Sequence, residues 1–258
     1  MYIYVLASSS SGNCICLDDG NSSILIDAGI LYKNIEMRLA EIGGHPEEIR
    51  AAFCSHEHGD HVRGVIGLLD NNIPSYATEG TIRGWERTLK KKDVPGNKIE
   101  YNSQVILDNS DFKVTPFRTS HDTPEPCGFF IKNGDFHMGF FTDTGMLRHA
   151  TIDKLKKCDV VFCESNHCPN MLREGSYPDF LKARIASKVG HLSNQCALEI
   201  IQQFDNNVPY IILGHLSDSN NHPDKAFNTV RDNINDDVFL TVALPFKNDG
   251  EYSQIIKI

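Results

Sequence analysis

Phe53-Cys54-Ser55-His56-Glu57-His58-Gly59-Asp60-His61 decides how this sequence is read. Three histidines and a ligand-capable aspartate fall within six residues, His56 to His61. The apolar run Ala51-Ala52-Phe53-Cys54 before them reads as the end of a buried strand, and Val62, Val65, Ile66, Leu68 and Leu69 follow at helical spacing. The His-rich stretch therefore occupies a turn between a strand and a helix. A strand end is rigid, and a turn can aim consecutive side chains at one small volume. Neutral imidazole together with carboxylate suits zinc, manganese or iron. The competing reading, a solvated surface loop, gives no reason for three histidines and an aspartate at this spacing.

No Pro/Gly/Ser-rich linker or low-complexity tract divides the 258 residues, so one domain over 1–258 is expected. Apolar content of 40% and charged content of 23% are those of a soluble protein with a substantial core. A net charge of −9 argues against a broad basic surface for long nucleic acid, though not against a local cationic cleft. The eight cysteines form no C-x-x-C pair, and several lie in apolar runs such as Cys158 to Cys163. Reduced, buried cysteines of a cytosolic protein are the reading. Met1 to Ala7 lacks a basic flank and is too short for a signal peptide. A cytoplasmic location, no membrane contact and no obligate protein partner are expected.

Tyr2–Leu6, Cys14–Leu17 and Ser23–Ile26 read as strands, the last two joined by the hairpin signal Asp18-Asp19-Gly20-Asn21. Ile35, Leu39 and Ile42 mark an amphipathic helix stopped by Gly43-Gly44. Ser75–Ala77 follows as a short strand and Thr81–Lys92 as a helix whose terminal Lys90-Lys91-Lys92 most simply balances the dipole in water, a nucleic-acid role being the weaker alternative. In the second half, strands are expected at Val105–Leu107, Phe112–Phe117, Cys127–Ile131, His137–Phe141, Val160–Cys163, Pro209–Leu213, Val238–Ala243 and Ile255–Ile258. Helices are expected at Leu147–Lys157, Pro178–Val189, Gln195–Phe204 with Ser193 as N-cap, and Asp224–Asn233. Hairpin runs interrupted by helices in both halves imply an α/β protein with two packed sheets and helices outside.

Three more polar groups stand where a strand stops: His121, Asp143 and His215. Each alone reads as a capping or hydrogen-bonded residue. With His56, His58, Asp60 and His61 they make seven ligands. If Asp143 bridges, two metals receive four protein ligands each, an open arrangement with room for a shared water.

Asp27-Ala28-Gly29, His56-x-His58-x-Asp60-His61, His121, Asp143 and His215, in that order, resemble the metallo-β-lactamase superfamily. The resemblance implies a four-layer αββα sandwich of two mixed sheets. It implies that His56, His58 and His121 hold one metal and Asp60, His61 and His215 the other, with Asp143 bridging and Asp27 orienting the His-rich loop. Leu6 to Cys14, His121-Asp122-x-x-Glu125-Pro126, Glu164-Ser165-Asn166-His167, Gly190 to Asn194 and His215 to Asn221 further resemble the YycJ/WalJ branch. That branch implies a metal-dependent DNA exonuclease acting from the 5′ end. Cys168 stands where an acid is expected.

Two divalent cations against Asp60, Asp143 and one hydroxide leave about one surplus positive charge, which favours an anionic phosphodiester. A metal-bound hydroxide would attack phosphorus in line. His191 is the candidate acid for the leaving alkoxide and Glu164 its orienter, a pairing that resembles transfer-RNA 3′-processing enzymes of the superfamily. Helix capping by His191 and ion pairing by Glu164 are the alternatives. Asn166, His167, Asn220 and Asn221 are candidate hydrogen-bond donors to substrate phosphate, with turn formation competing. The expected activity is a dinuclear metal-dependent phosphodiesterase, a 5′-to-3′ DNA exonuclease. A small-substrate hydrolase (cyclic phosphodiester, lactone or thioester) and a non-catalytic metal-binding module are the rivals.

Overall fold

The computed structural model describes residues 1–244 and 254–258, which form two compact units. The first comprises Met1–Pro116, Thr123–Cys127 and Leu244–Ile258; the second comprises Phe117–Asp122 and Gly128–Ala243. Among the described residues, no helix is long and apolar enough to cross a membrane.

The first unit begins with two antiparallel pairings. Strands β1 (Tyr2–Ser9) and β2 (Gly12–Asp18) pair with Tyr4 opposite Cys16, and β2 pairs with β3 (Ser23–Ile26) with Cys16 opposite Leu25. The β2–β3 turn is set by Asp18 and Asp19, whose carboxylates accept from the N–H groups of Gly20 and Asn21, with Gly20 at φ +90. From β3 onward the pairing is parallel, through β4 (Ile49–Phe53), β5 (Ser75–Ala77) and the unforeseen two-residue β6 (Asn97–Lys98). Parallel neighbours need crossovers. These are α1 (Tyr32–Glu41), then α2 (Gly59–Val62) with α3 (Val65–Asp70), then α4 (Glu79–Leu89). Alternate strand residues Leu6, Cys16, Leu25 and Ala52 cluster with Ile35, Leu39, Leu68 and Trp85 from the helices. Each fully buried leucine or isoleucine among them contributes about 1.5–3 kcal/mol.

The helix expected from Val62 to Leu69 is broken. Gly64 sits between α2 and α3 and donates its N–H to Ala28 O at 2.7 Å. A Cβ there would lie 2.3 Å from Ile30 O, so only glycine lets the loop after β3 approach. The apolar face survives the break, because Val62, Val65 and Leu68 are all buried.

Hairpin β7 (Val105–Ile106) and β8 (Phe112–Arg118) leads to the second unit. There β9 (Cys127–Asn133) and β10 (Phe136–Phe141) are antiparallel, and β11 (Val160–Glu164), β12 (Tyr210–Gly214) and β13 (Phe239–Val242) continue in parallel. The crossovers are α5 (His149–Leu155), then α6 (Pro169–Glu174), α7 (Asp179–Ile185) and α8 (Asn194–Gln202), then α9 (Pro223–Arg231). Of these, α6 was not expected. Ser193 caps α8 by accepting from Cys196 N–H at 3.1 Å. Val161, Cys163, Ile211 and Leu213 pack with Leu155, Leu198, Ile201 and Val230. Finally β14 (Gln254–Lys257) pairs with β1 at the edge of the first sheet. Each unit thus repeats one plan, antiparallel pairing followed by helix-crossed parallel strands, as the order of sequence signals implied.

Gly29 fixes the first unit most tightly: a Cβ there would lie 1.7 Å from Asp60 O. Both partners are backbone, so Gly29→Ala should lower the unfolding free energy by at least ~1–3 kcal/mol, measured by urea titration. An unchanged midpoint would contradict this packing.

Candidate metal centre

In the first unit the site begins where parallel strands end. Asp27 follows β3 directly, is wholly buried and adopts φ +61, a left-handed conformation that aspartate tolerates better than most residues. Its carboxylate is fully engaged. Oδ1 accepts from Ser55 N–H at 2.7 Å, and Oδ2 accepts from the Ser55 hydroxyl at 3.0 Å and from His61 Nδ1 at 2.8 Å. A buried carboxylate is tolerable only with such partners. With His61 Nδ1 donating, its Nε2 carries a lone pair. That nitrogen lies 3.3 Å from Asp60 Oδ2 and 3.2 Å from the Asn13 amide nitrogen, a donor that agrees with the assignment.

Ser55 also orients His56, whose Nδ1 lies 3.1 Å from the hydroxyl oxygen. This leaves His56 Nε2 as the acceptor, 3.0 Å from His58 Nδ1. The four ligand candidates of the turn therefore fall into two pairs, His56 with His58 and Asp60 with His61. Asn13 and Ser55 were not singled out from sequence. Ser55 is flagged only by its place before His56, and nothing in the sequence marks Asn13 individually.

Around these groups lie Cys14, Cys54 and Cys127, all buried and unbridged. Burial pushes all three thiols well above their ordinary range, and nearby acidic groups, the Asp27 carboxylate among them, add to the effect.

The second unit uses the same device. Asp143, just beyond β10, and His215, directly after β12, adopt φ +50 and +54. One Asp143 oxygen faces His121 Nε2 at 3.7 Å, and the other faces His215 Nδ1 at 3.5 Å. His121 Nδ1 is 3.2 Å from Gly190 O, the acceptor of its N–H, so its Nε2 too is the lone-pair nitrogen.

Glu164, the last residue of β11, is wholly buried and has four donors. Oε1 lies 2.8 Å from His191 Nδ1 and 2.9 Å from His215 Nδ1, while Oε2 accepts from the N–H groups of Thr144 at 3.0 Å and Leu192 at 3.1 Å. Burial alone would raise its pKa. The charge and hydrogen bond of His191 and the hydrogen bond of His215 outweigh burial and hold the carboxyl well below its usual range. His191 shows the reverse balance: burial pulls its pKa down, and Glu164 pulls it further up. Asp143, Glu164, His191 and His215 each offer one ligand atom, all within 4.8 Å of one another.

Two of the four residues expected to reach substrate phosphate face inward instead. Asn221 donates to Ser165 O at 2.8 Å and Asn166 O at 3.0 Å, and Asn166 donates to His215 O at 3.0 Å. Their amides brace the loops after β11 and β12. His167 and Asn220 are also buried, but His167 Nδ1 and Asn220 Nδ2 have no hydrogen-bond partner among the described residues.

Residues 22–215 match the beta-lactamase superfamily domain. The chain is 34% identical over 235 residues to exodeoxyribonuclease WalJ of Streptococcus pneumoniae, covering 88% of this chain and 85% of that protein. It is 31% identical over 230 residues to exodeoxyribonuclease YycJ of Bacillus anthracis, covering 88% and 86%. Among solved structures, the metallo-beta-lactamase fold protein YhfI of Bacillus subtilis superposes with a TM-score of 0.71 at 16% identity, over 99% of both chains. Human tRNase Z, short form, gives 0.67 at 18% identity, over 100% of this chain and 99% of that one. The chain therefore has the metallo-β-lactamase fold, as the resemblance implied.

Burial, above all, lowers the His167 pKa to about 4. An unfolded chain takes up that proton near ~6.5. Between these values the unfolded state binds more protons, so the native state loses stability as pH falls through the window. Urea unfolding at pH 7, 6, 5 and 4.5 should show this loss, and His167→Phe should flatten it. An equal slope in the variant would contradict the neutral, buried imidazole.

Proposed function

The chain belongs to the beta-lactamase superfamily, and from that footing we propose that it is a metal-dependent DNA exonuclease, working from the 5′ end. His56, His58 and His121 would hold one divalent ion and Asp60, His61 and His215 a second, with Asp143 available to both; zinc, manganese and iron all suit these donors. The observation that carries this reading is the orientation of the imidazoles. In His56, His61, His121 and His215, Nδ1 is engaged by a hydroxyl, a carboxylate or a carbonyl, which turns Nε2 into the available ligand atom. One Asp143 oxygen lies 3.7 Å from His121 Nε2, a ligand nitrogen by the same criterion, which suits a metal-binding carboxylate.

Bound divalent ions supply Lewis acidity toward a phosphoryl oxygen and lower the pKa of water toward ~7. The chain's own groups do the rest. Glu164 holds His191 through Nδ1 and favours its protonated form, so Nε2–H is the proton available to a leaving alkoxide. His191 keeps 19% side-chain exposure while Glu164 has none, so His191 reaches substrate and Glu164 acts through it as a positioning residue. Asp27 fixes His61 and the turn. Of the candidate phosphate donors, His167 and Asn220 retain a nitrogen with no partner among the described residues. The names of the WalJ and YycJ relatives support DNA as substrate.

The test uses DNA oligonucleotides labelled at either end, a small chromogenic phosphodiester, and each metal in turn. Early release of 5′-labelled mononucleotide, abolished by chelator and restored by metal, is expected. Asp143→Ala should lose at least ~100-fold in turnover with the fold retained, and Glu164→Gln ~10–100-fold. Full activity in the presence of chelator, or turnover of the small diester alone, would reject the nuclease.

A further inference from the structure

We propose that the exposed face of α4, with the lysines that follow it, is the track along which the substrate strand's phosphates run beside the His-rich turn. This rests on the nuclease reading and extends it to substrate binding. The chain has 25 Lys and Arg against 34 Asp and Glu, yet residues 83–92 carry five cations and one anion. Arg83, Arg87 and Lys90 recur at helical spacing and share one stripe. At 1.5 Å per residue the stripe is about 10 Å long, long enough to face successive phosphates of one strand.

All five cations are exposed. Arg83 pairs with Glu79, whereas the side chains of Arg87, Lys90, Lys91 and Lys92 have no ionic partner among the described residues. Compensation of the helix dipole extends only over the last turn. It accounts for cations around Lys90, which caps α4 at φ 53, but not for Arg83 in mid-helix.

The stripe lies beside the metal ligands of the turn. A Cβ at Gly84 would come within 2.4 Å of Glu57 Cγ, and one at Gly59 would lie 3.9 Å from Thr88 Cγ2. Glu57 stands between His56 and His58 in the chain. A cavity of about 540 Å³ opens there, bounded by Glu57, Glu79, Arg83, Arg87 and Glu125. Its carboxylates make it a poor receptor for a lone phosphate. Glu79 is offset by Lys98 at 2.9 Å and Arg83, and Glu125 accepts from Gly80 N–H at 2.7 Å. The arrangement suits a polymer whose phosphates ride on the stripe while one nucleotide enters the cavity.

The experiment measures binding of a 5′-fluorescein, phosphorothioate-linked single strand by anisotropy across a salt series. It compares the metal-loaded protein with Arg87→Ala and with the triple variant Lys90→Ala, Lys91→Ala, Lys92→Ala. Expected are at least ~10-fold weaker binding at low salt in the triple variant, and a log–log salt slope shallower by ~0.7 per contact removed. In the triple variant, turnover of the small diester and the thermal midpoint should be unchanged. Affinity and slope equal to those of the unmodified protein would overturn the track. A protein that binds the strand with the expected slope but cleaves neither substrate would overturn the nuclease reading and leave the track standing.

Discussion

A carboxylate cut off from water holds the His-rich turn in shape. The wholly buried Asp27 carboxylate needs a full set of donors, and the turn provides them from Ser55 and His61. The dependence is mutual. Losing a donor would leave an unsatisfied acceptor costing ~1–3 kcal/mol, and losing Asp27 would free His61 to change tautomer. Glu164 plays the same part in the second unit with four donors of its own. Each unit therefore builds its polar cluster around one dry carboxylate that aligns imidazoles.

These clusters stand at the carboxyl ends of parallel strands, where open α/β sheets generally receive ligands. At three such ends the chain enters a left-handed conformation at Asp27, Asp143 and His215. For residues other than glycine this costs of order 1–3 kcal/mol. Asparagine would be cheaper in backbone terms but would bring no negative charge at 27 or 143. Strain is thus concentrated where side-chain chemistry outweighs backbone comfort, and the surrounding sheets supply the stability that tolerates it.

Much of this was legible in the sequence because the chemistry-bearing residues follow strong local signals. Apolar runs ending in Asp27, His56, Asp143 and His215 located strand ends without any coordinates. Glu164 and His191 were paired from their motifs and lie 2.8 Å apart. What the sequence concealed depends on pairing across the chain. Asn13 meets His61 only because β2 lies beside β3, and the amides of Asn166 and Asn221 turn inward because neighbouring loops present carbonyls. The break at Gly64 was equally hidden: apolar periodicity runs unbroken through α2 and α3, while the constraint comes from a backbone contact with Ala28 and Ile30. Gly29 was noticed within a motif, but its reason is the carbonyl of Asp60, 31 positions later.

Sulfur near the site is chemically silenced. Cys14, Cys54 and Cys127 lie close to Asp27, and the dry surroundings and adjacent negative charge that suit the imidazole lattice also suppress thiolate. A protonated thiol is a poor metal ligand and a poor nucleophile. Nitrogen and oxygen donors therefore meet no competition from sulfur for a borderline ion. Alkylating reagents and peroxide are directed to Cys196 on the surface of α8 and the half-exposed Cys168.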